Sequence, residues 1–314
     1  MKIIWSIFIF LFSTVNSYRI LGWFNIPSIS HQRVFQPIWK KLSLRGHEVT
    51  VITSDPLRDP NLVNLTEIDM KFSYAVWKDI DITNMRRDIL TTFEIEYAFQ
   101  KVHDKVLEMA FKTKEIQDIM RKPKDYFDLI LIEAHHPVLY GLQHKFEAPL
   151  ITISSLANYN FLHHLFGNSI HPCLYPDVLS GLYGEMTLLE KLDNLHLLVG
   201  SYIMNKIIIY PYTNELAKSY FGNDMPYIED MVKKTSLMFE NVSPIFADRK
   251  PLAPNYMQYS LWNIVNTSSL PMVSVFIVLF VKLVQSYDAS MMFLKNIIDV
   301  SGDEVICWLT VGSQ

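Results

Sequence analysis

In the stretch "SISHQRVFQPIWKKL" one histidine, His31, stands in a short polar loop directly ahead of an amphipathic segment. A neutral imidazole, with an ordinary pKa of ~6.5, can draw a proton from a hydroxyl at neutral pH. The competing reading is a polar side chain that packs its ring or helps to open the next helix, and the neighbouring residues admit both. A second candidate is Glu133, the carboxylate that ends the apolar run "FDLILIE". Hydrogen-bonded to one imidazole nitrogen, a carboxylate fixes the tautomer and stabilises the imidazolium, so these two residue types could form a base and its orienting group. A surface carboxylate at a strand end is the alternative for Glu133.

The adjacent pairs His135-His136 and His163-His164 raise the question of a metal. Neighbouring side chains diverge on a helix or strand, and no cysteine or carboxylate spacing completes a ligand set, so no metal is expected. Cys173 and Cys307 are the only cysteines and lie far apart, which admits one long bridge or two free thiols but no disulfide framework. Trp77, Tyr97, Phe161 and Tyr183 are candidates to line a pocket, with core packing the default for each.

The elements that must position these residues follow a βαβ pattern. The apolar run Tyr18–Phe24 ends at a turn, as a buried parallel strand does. Ser28 or Ser30 can cap the helix that follows, whose Val34, Phe35, Ile38, Trp39 and Leu42 share one face. Gly46 is placed to end it in the left-handed conformation, and His47–Thr53 forms the next strand. A long helical pattern covers roughly Met85–Arg121, and the runs Phe127–Ala134 and Ala148–Ser155 supply further strands. Such alternation predicts a doubly wound parallel sheet, an α/β architecture in which ligands bind beyond the carboxyl ends of the strands. That rule brings His31 and Glu133 towards one crevice. From about Pro176 to Asn255 the chain reads as a helical, aromatic-rich cover.

Half of the 314 residues are hydrophobic, enough for one large core or two ordinary domains. A formal net charge of −4, with no long Lys/Arg block, makes nucleic acid an unexpected partner. Residues 1–17 read as a signal peptide: Lys2, an apolar core Ile3–Phe12, and the small-residue site Val15-x-Ser17. Entry into the secretory route makes the sequons at Asn64, Asn241 and Asn266 relevant, the second weakened by Pro244. The block Leu270–Val284 is interrupted by Pro271 and Lys282 and is short for a membrane span.

Four segments taken in order, residues 20–53, 127–155, 167–177 and 225–255, resemble the amino-terminal half of animal UDP-glycosyltransferases, the UDP-glucuronosyl and UDP-glucosyltransferases. The likeness runs from about Tyr18 to Asn255. It implies a GT-B arrangement of two Rossmann-like domains, with residues 18–255 as the acceptor-binding domain. It implies that Ser30-His31 matches the catalytic Ser-His pair, and that Glu133 matches the orienting carboxylate, where many relatives have Asp. UDP is a good leaving group, so one in-line displacement with inversion is the expected reaction and no covalent intermediate is needed.

The pattern departs from that family after Asn255. Residues 256–290 match nothing familiar and read as a linker or inserted segment. The likeness returns in 291–314, where "TVGSQ" resembles the start of the donor domain and Gly312 and Ser313 are the expected nucleotide contacts. The rest of the second Rossmann-like domain is missing, so the chain reads as truncated. The expected co-substrate is a UDP-sugar, with no cofactor. The expected partners are a small lipophilic acceptor and other family members in an oligomer, and the expected location is the lumen of the endoplasmic reticulum or the secreted fraction. The alternative is an inactive acceptor-binding or regulatory module that pairs with full-length relatives.

Overall fold

The structure, a computed structural model, describes residues 17–78, 92–182, 184–242 and 250–259. Most of the expected signal peptide, Tyr183, Asn266, the Leu270–Val284 block, Cys307, Gly312 and Ser313 lie outside them. Seven strands form one sheet: β1 Arg19–Phe24, β2 Glu48–Thr53, β3 Leu65–Asp69, β4 Leu129–Glu133, β5 Leu150–Ser154, β6 Leu237–Asn241 and β7 Tyr256–Tyr259. Their order is β3-β2-β1-β4-β5-β6-β7, and every neighbouring pair is parallel. The expected α/β doubly wound sheet is therefore present. It runs one strand past the expected domain end at Asn255, because Tyr256–Tyr259 pairs with β6.

The helices are α1 Ile29–Leu44, α2 Ser73–Lys78, α3 Thr92–Phe111, α4 Lys114–Met120, α5 Leu142–Phe146, α6 Asn160–Leu165, α7 Leu188–Met204, α8 Tyr210–Phe221 and α9 Ile228–Lys233. Every residue of β4 and β5 is buried. Successive strand residues point to opposite faces, so helices must cover both faces of the sheet. In α1 the residues Phe35, Ile38, Trp39 and Leu42 are buried as the spacing predicts, and Gly46 adopts φ +87° just past its end. The single long helix expected up to Arg121 is instead two, from Thr92 onward. Thr113 leaves helical backbone at ψ 147°, and its hydroxyl donates to the Ala110 carbonyl at 2.7 Å, competing with the helical ladder.

Two details set the geometry near the strand ends. A turn of π-helix, Asn205–Ile209, joins α7 to α8 and re-aims Asn205. Gly141 permits α8 to approach closely, since a Cβ there would lie 2.2 Å from the Phe221 ring.

Candidate functional site

The strand order reverses between β1 and β4, which pair from Ile20–Leu129 to Trp23–Ile132. This is the topological switch point, where a crevice opens in sheets of this kind. His31, expected in the loop after β1, is instead the third residue of α1, because the helix already starts at Ile29, and Glu133 is the last residue of β4. Buried Gln32 fixes that loop: its amide donates to the carbonyls of Phe24 and Ile26, each at 2.9 Å, and its oxygen accepts from the Thr53 hydroxyl at 2.7 Å. His31 is thereby held in place by its neighbour in sequence.

His31 Nδ1 lies 2.9 Å from Glu133 Oε1 and 2.7 Å from Ser155 Oγ, one residue past β5. A carboxylate can only accept, so an ionised Glu133 requires the proton on Nδ1, with Ser155 Oγ as a second acceptor of the same N–H. That tautomer leaves the Nε2 lone pair free to act as a base. Glu133 is fully buried, and burial pushes its carboxyl above the usual range, while the His31 hydrogen bond and charge and the Ile26 amide pull it back. The two residues singled out in the sequence are thus brought into contact. Ser28 and Ser30, the two capping candidates, bond to each other at 2.9 Å, and neither hydroxyl caps α1.

His31 borders a cavity of about 680 Å³. Its base comes from residues just past β1, β4 and β5, including Ile26, Ala134, His135, Leu156 and Tyr159. Its wall comes from Trp77, from Phe99, Gln100, His103 and Glu96 of α3, and from Asn205 and Ile209 of the π-turn. Most of the lining is apolar, as a site for a lipophilic small molecule requires. Burial holds the nearby histidines neutral: His103 is pushed down to about 3, further lowered by the charges of His135 and His31, and His135 to about 4. The His103 ring packs tilted against His136, centroids 4.7 Å apart, and His136 is buried with neither ring nitrogen hydrogen-bonded.

The remaining candidates scatter. Trp77 lines the cavity, whereas Tyr97 is exposed under the Lys101 ammonium and Phe161 sits in the core. His163 is buried against Asn168 and Glu240 while His164 is exposed. Among the described residues no group of three or more His, Cys, Asp or Glu side chains is placed to hold a metal. Asn64 is exposed ahead of edge strand β3, but the Asn241 amide donates to the Ser155 carbonyl at 2.9 Å, a bond a glycan would have to break. Cys173 is exposed and free. No described helix is long and apolar enough to cross a membrane.

Sequence reasoning missed Ser155, Glu96, Gln100 and His103. Ser155 holds the same place past β5 that Glu133 holds at the end of β4, so strand-end position could have found it. The α3 residues carried no such signal, because polar residues at helical spacing read as a solvent face.

No protein-family model matches the chain. It is 29% identical over 280 residues to UDP-glucosyltransferase 2 of Dactylopius coccus, covering 86% of this chain and 52% of that protein. It is 25% identical to an ecdysteroid UDP-glucosyltransferase of Lymantria dispar multicapsid nuclear polyhedrosis virus, covering 79% and 50%. It is 26% identical to UDP-glucuronosyltransferase 2B18 of Macaca fascicularis, covering 78% and 49%. The chain spans about half the length of the curated relatives it matches. Among solved structures, the calicheamicin glycosyltransferase CalG4 aligns with a TM-score of 0.37 at 13% identity, over 78% of this chain and 52% of that one. The family resemblance read from the sequence is borne out by these relatives.

Proposed function

We propose, from a chain whose relatives are UDP-glycosyltransferases, that it is the acceptor-binding part of such an enzyme and that His31 is its general base. The observation that carries this reading is the His31 Nδ1–Glu133 contact of 2.9 Å at the switch point, beside the apolar cavity. A lipophilic acceptor enters the cavity with its hydroxyl towards His31 Nε2. The hydroxyl proton passes to Nε2 as its oxygen forms a bond to the anomeric carbon of a UDP-sugar. The bond from that carbon to the UDP oxygen breaks on the opposite side, UDP leaves with the electron pair, and the configuration inverts.

Glu133 stabilises the imidazolium through Nδ1–H, and Ser155 shares that hydrogen. The reaction needs no cofactor beyond the UDP-sugar, for which glucose and glucuronate are the donors proposed from the relatives' names. Gly312 and Ser313 are proposed to contact the nucleotide from the second domain. The signal peptide and lumenal location belong to the same proposal.

The test is transfer of labelled sugar from UDP-glucose and UDP-glucuronate to simple phenols, by the chain alone and by the chain joined to a relative's donor domain. Transfer that His31→Ala abolishes supports the base. Transfer that survives the substitution at a near wild-type rate overturns it.

A further inference from the structure

On α3, Glu96, Gln100 and His103 recur at spacings of four and three, so they share one face, and all three border the cavity. His103 marks the end of the cavity near the strand ends: its ring packs against that of His136, three residues past the end of β4. Glu96 stands seven residues away, about 10 Å along the helix axis at 1.5 Å per residue. One of its carboxyl oxygens, Oε1, lies 3.4 Å from the Asn205 side-chain amide. The other, Oε2, is buried and has no hydrogen-bond partner. Gln100, midway, is already committed to Asp104 at 2.8 Å.

A buried carboxylate oxygen without a donor is costly, and its natural remedy is a ligand that brings one. Resting on the acceptor-binding reading above, we infer that Glu96 selects elongated lipophilic acceptors that carry a second hydroxyl at the end remote from the one glycosylated. The remote hydroxyl donates to the Glu96 carboxyl, which turns its unpaired oxygen to the cavity on binding, while the reacting hydroxyl reaches His31 and the apolar walls hold the body of the molecule between them. Burial pushes the Glu96 carboxyl up to about 7, outweighing the pull of its one hydrogen bond, from Asn205. A site with a buried acceptor in place discriminates strongly against a ligand that leaves it unpaired.

The test is equilibrium binding to the full chain of two phenols of one skeleton, 4-phenylphenol and 4,4′-dihydroxybiphenyl, with folding checked by circular dichroism. The wild type is expected to bind the diol about 10-fold more tightly. Glu96→Leu is expected to lose that preference by weakening the diol while keeping 4-phenylphenol. Glu96→Gln, which retains an accepting oxygen, is expected to keep part of it. Equal binding of the two phenols by the wild type, or a preference that survives in Glu96→Leu, overturns the role of Glu96 and leaves the acceptor site standing. Binding of neither phenol overturns the acceptor-binding reading and this inference with it.

Discussion

The cavity has two sides built on different principles. At the strand ends, His31, Glu133 and Ser155 are fixed by the sheet's own register, and His31 Nδ1 is tied to its neighbours at 2.9 and 2.7 Å. On the helical wall, Glu96 Oε2, His103 Nε2 and the Trp77 indole nitrogen are buried without partners, and at the strand ends Glu133 Oε2 and both His136 ring nitrogens are as well. Contacts within the protein hold a shape, and the His31 ring is anchored by two of them, whereas the Glu96 carboxyl has the single Asn205 contact. On the proposed function, proton transfer falls to the sheet side and acceptor choice to the helical wall.

The largest expected effect tests the sheet side. In a protein supplied with a donor domain, His31→Ala should cut kcat by ~10⁴, the upper range for a positioned general base, with acceptor affinity largely unchanged. A loss confined to KM would move His31 to the binding wall. Glu133→Gln should follow with a loss of about 10²- to 10³-fold, because the amide can donate to Nδ1 and so favours the tautomer whose Nε2 carries the proton. The pH profile adds a sharper reading. Since burial raises the Glu133 carboxyl, protonation of Glu133 as pH falls should contribute to the acid limb of the wild-type rate. That contribution should vanish in Glu133→Gln, and an identical acid limb in both proteins would dissociate Glu133 from His31.

Next in size is a stability effect on the helical wall. The Glu96 carboxyl rises from 4.5 unfolded to about 7 folded, so the folded state holds its proton more tightly. The stability this gives is complete below pH 4.5 and is lost as pH rises to about 7. Glu96→Gln has no proton to lose. Its stability relative to the wild type should therefore climb across that window by about 3 kcal/mol and then level off. Asp104 and the buried histidines also titrate, but they are common to both proteins and cancel in the difference. Urea unfolding at several pH values measures it, and a flat difference would mean that the wall is wetter than its geometry indicates.

How far the two sides could be read in the sequence differs for the same physical reason. Strands buried on both faces show as unbroken apolar runs such as "LILIE", and a chemically active residue at the end of such a run is conspicuous. Glu133 was legible in that way, as were the parallel sheet and the end of α1 at Gly46, whereas His31 stood out only as a polar residue between the first run and the helix after it. On α3 the apolar Val102, Val106 and Ala110 are buried, yet Tyr97 and Met109 are exposed while Gln100, His103 and Asp104 are buried. A helix that lines a cavity turns part of its polar face inward, and the pattern of a surface helix then misleads. Three strands were missed: β3 and β7 are edge strands of five and four residues with a partner on one side alone, and β6, Leu237–Asn241, lies within the segment 176–255 that read as a helical cover but supplies a strand to the sheet.

Packing at the junction of the two sides should respond less. Gly141 opens the short helical turn after β4 against the Phe221 ring, with Met225 Sδ 3.0 Å from where a Cβ would stand. Gly141→Ala should cost about 1–3 kcal/mol through overpacking, read as a lowered Tm. If stability holds, the Phe221 ring can retreat and the junction is softer than the sheet it rests on.

The smallest effect sharpens the comparison most. Ser155 Oγ is the nearer of the two atoms at His31 Nδ1, yet a neutral hydroxyl accepting half of a shared N–H contributes less than an ionised carboxylate. Ser155→Ala removes the weaker acceptor and leaves Glu133 to hold the tautomer alone, so kcat should fall only about 3-fold with KM unchanged. The Ser155 backbone carbonyl, which accepts from Asn241, is kept by the substitution, so the strand end itself should not move. A loss as large as that of Glu133→Gln would reverse the assignment. Ser155, as the nearer partner, would then orient the base, and Glu133 would serve as the buried charge that keeps the imidazolium.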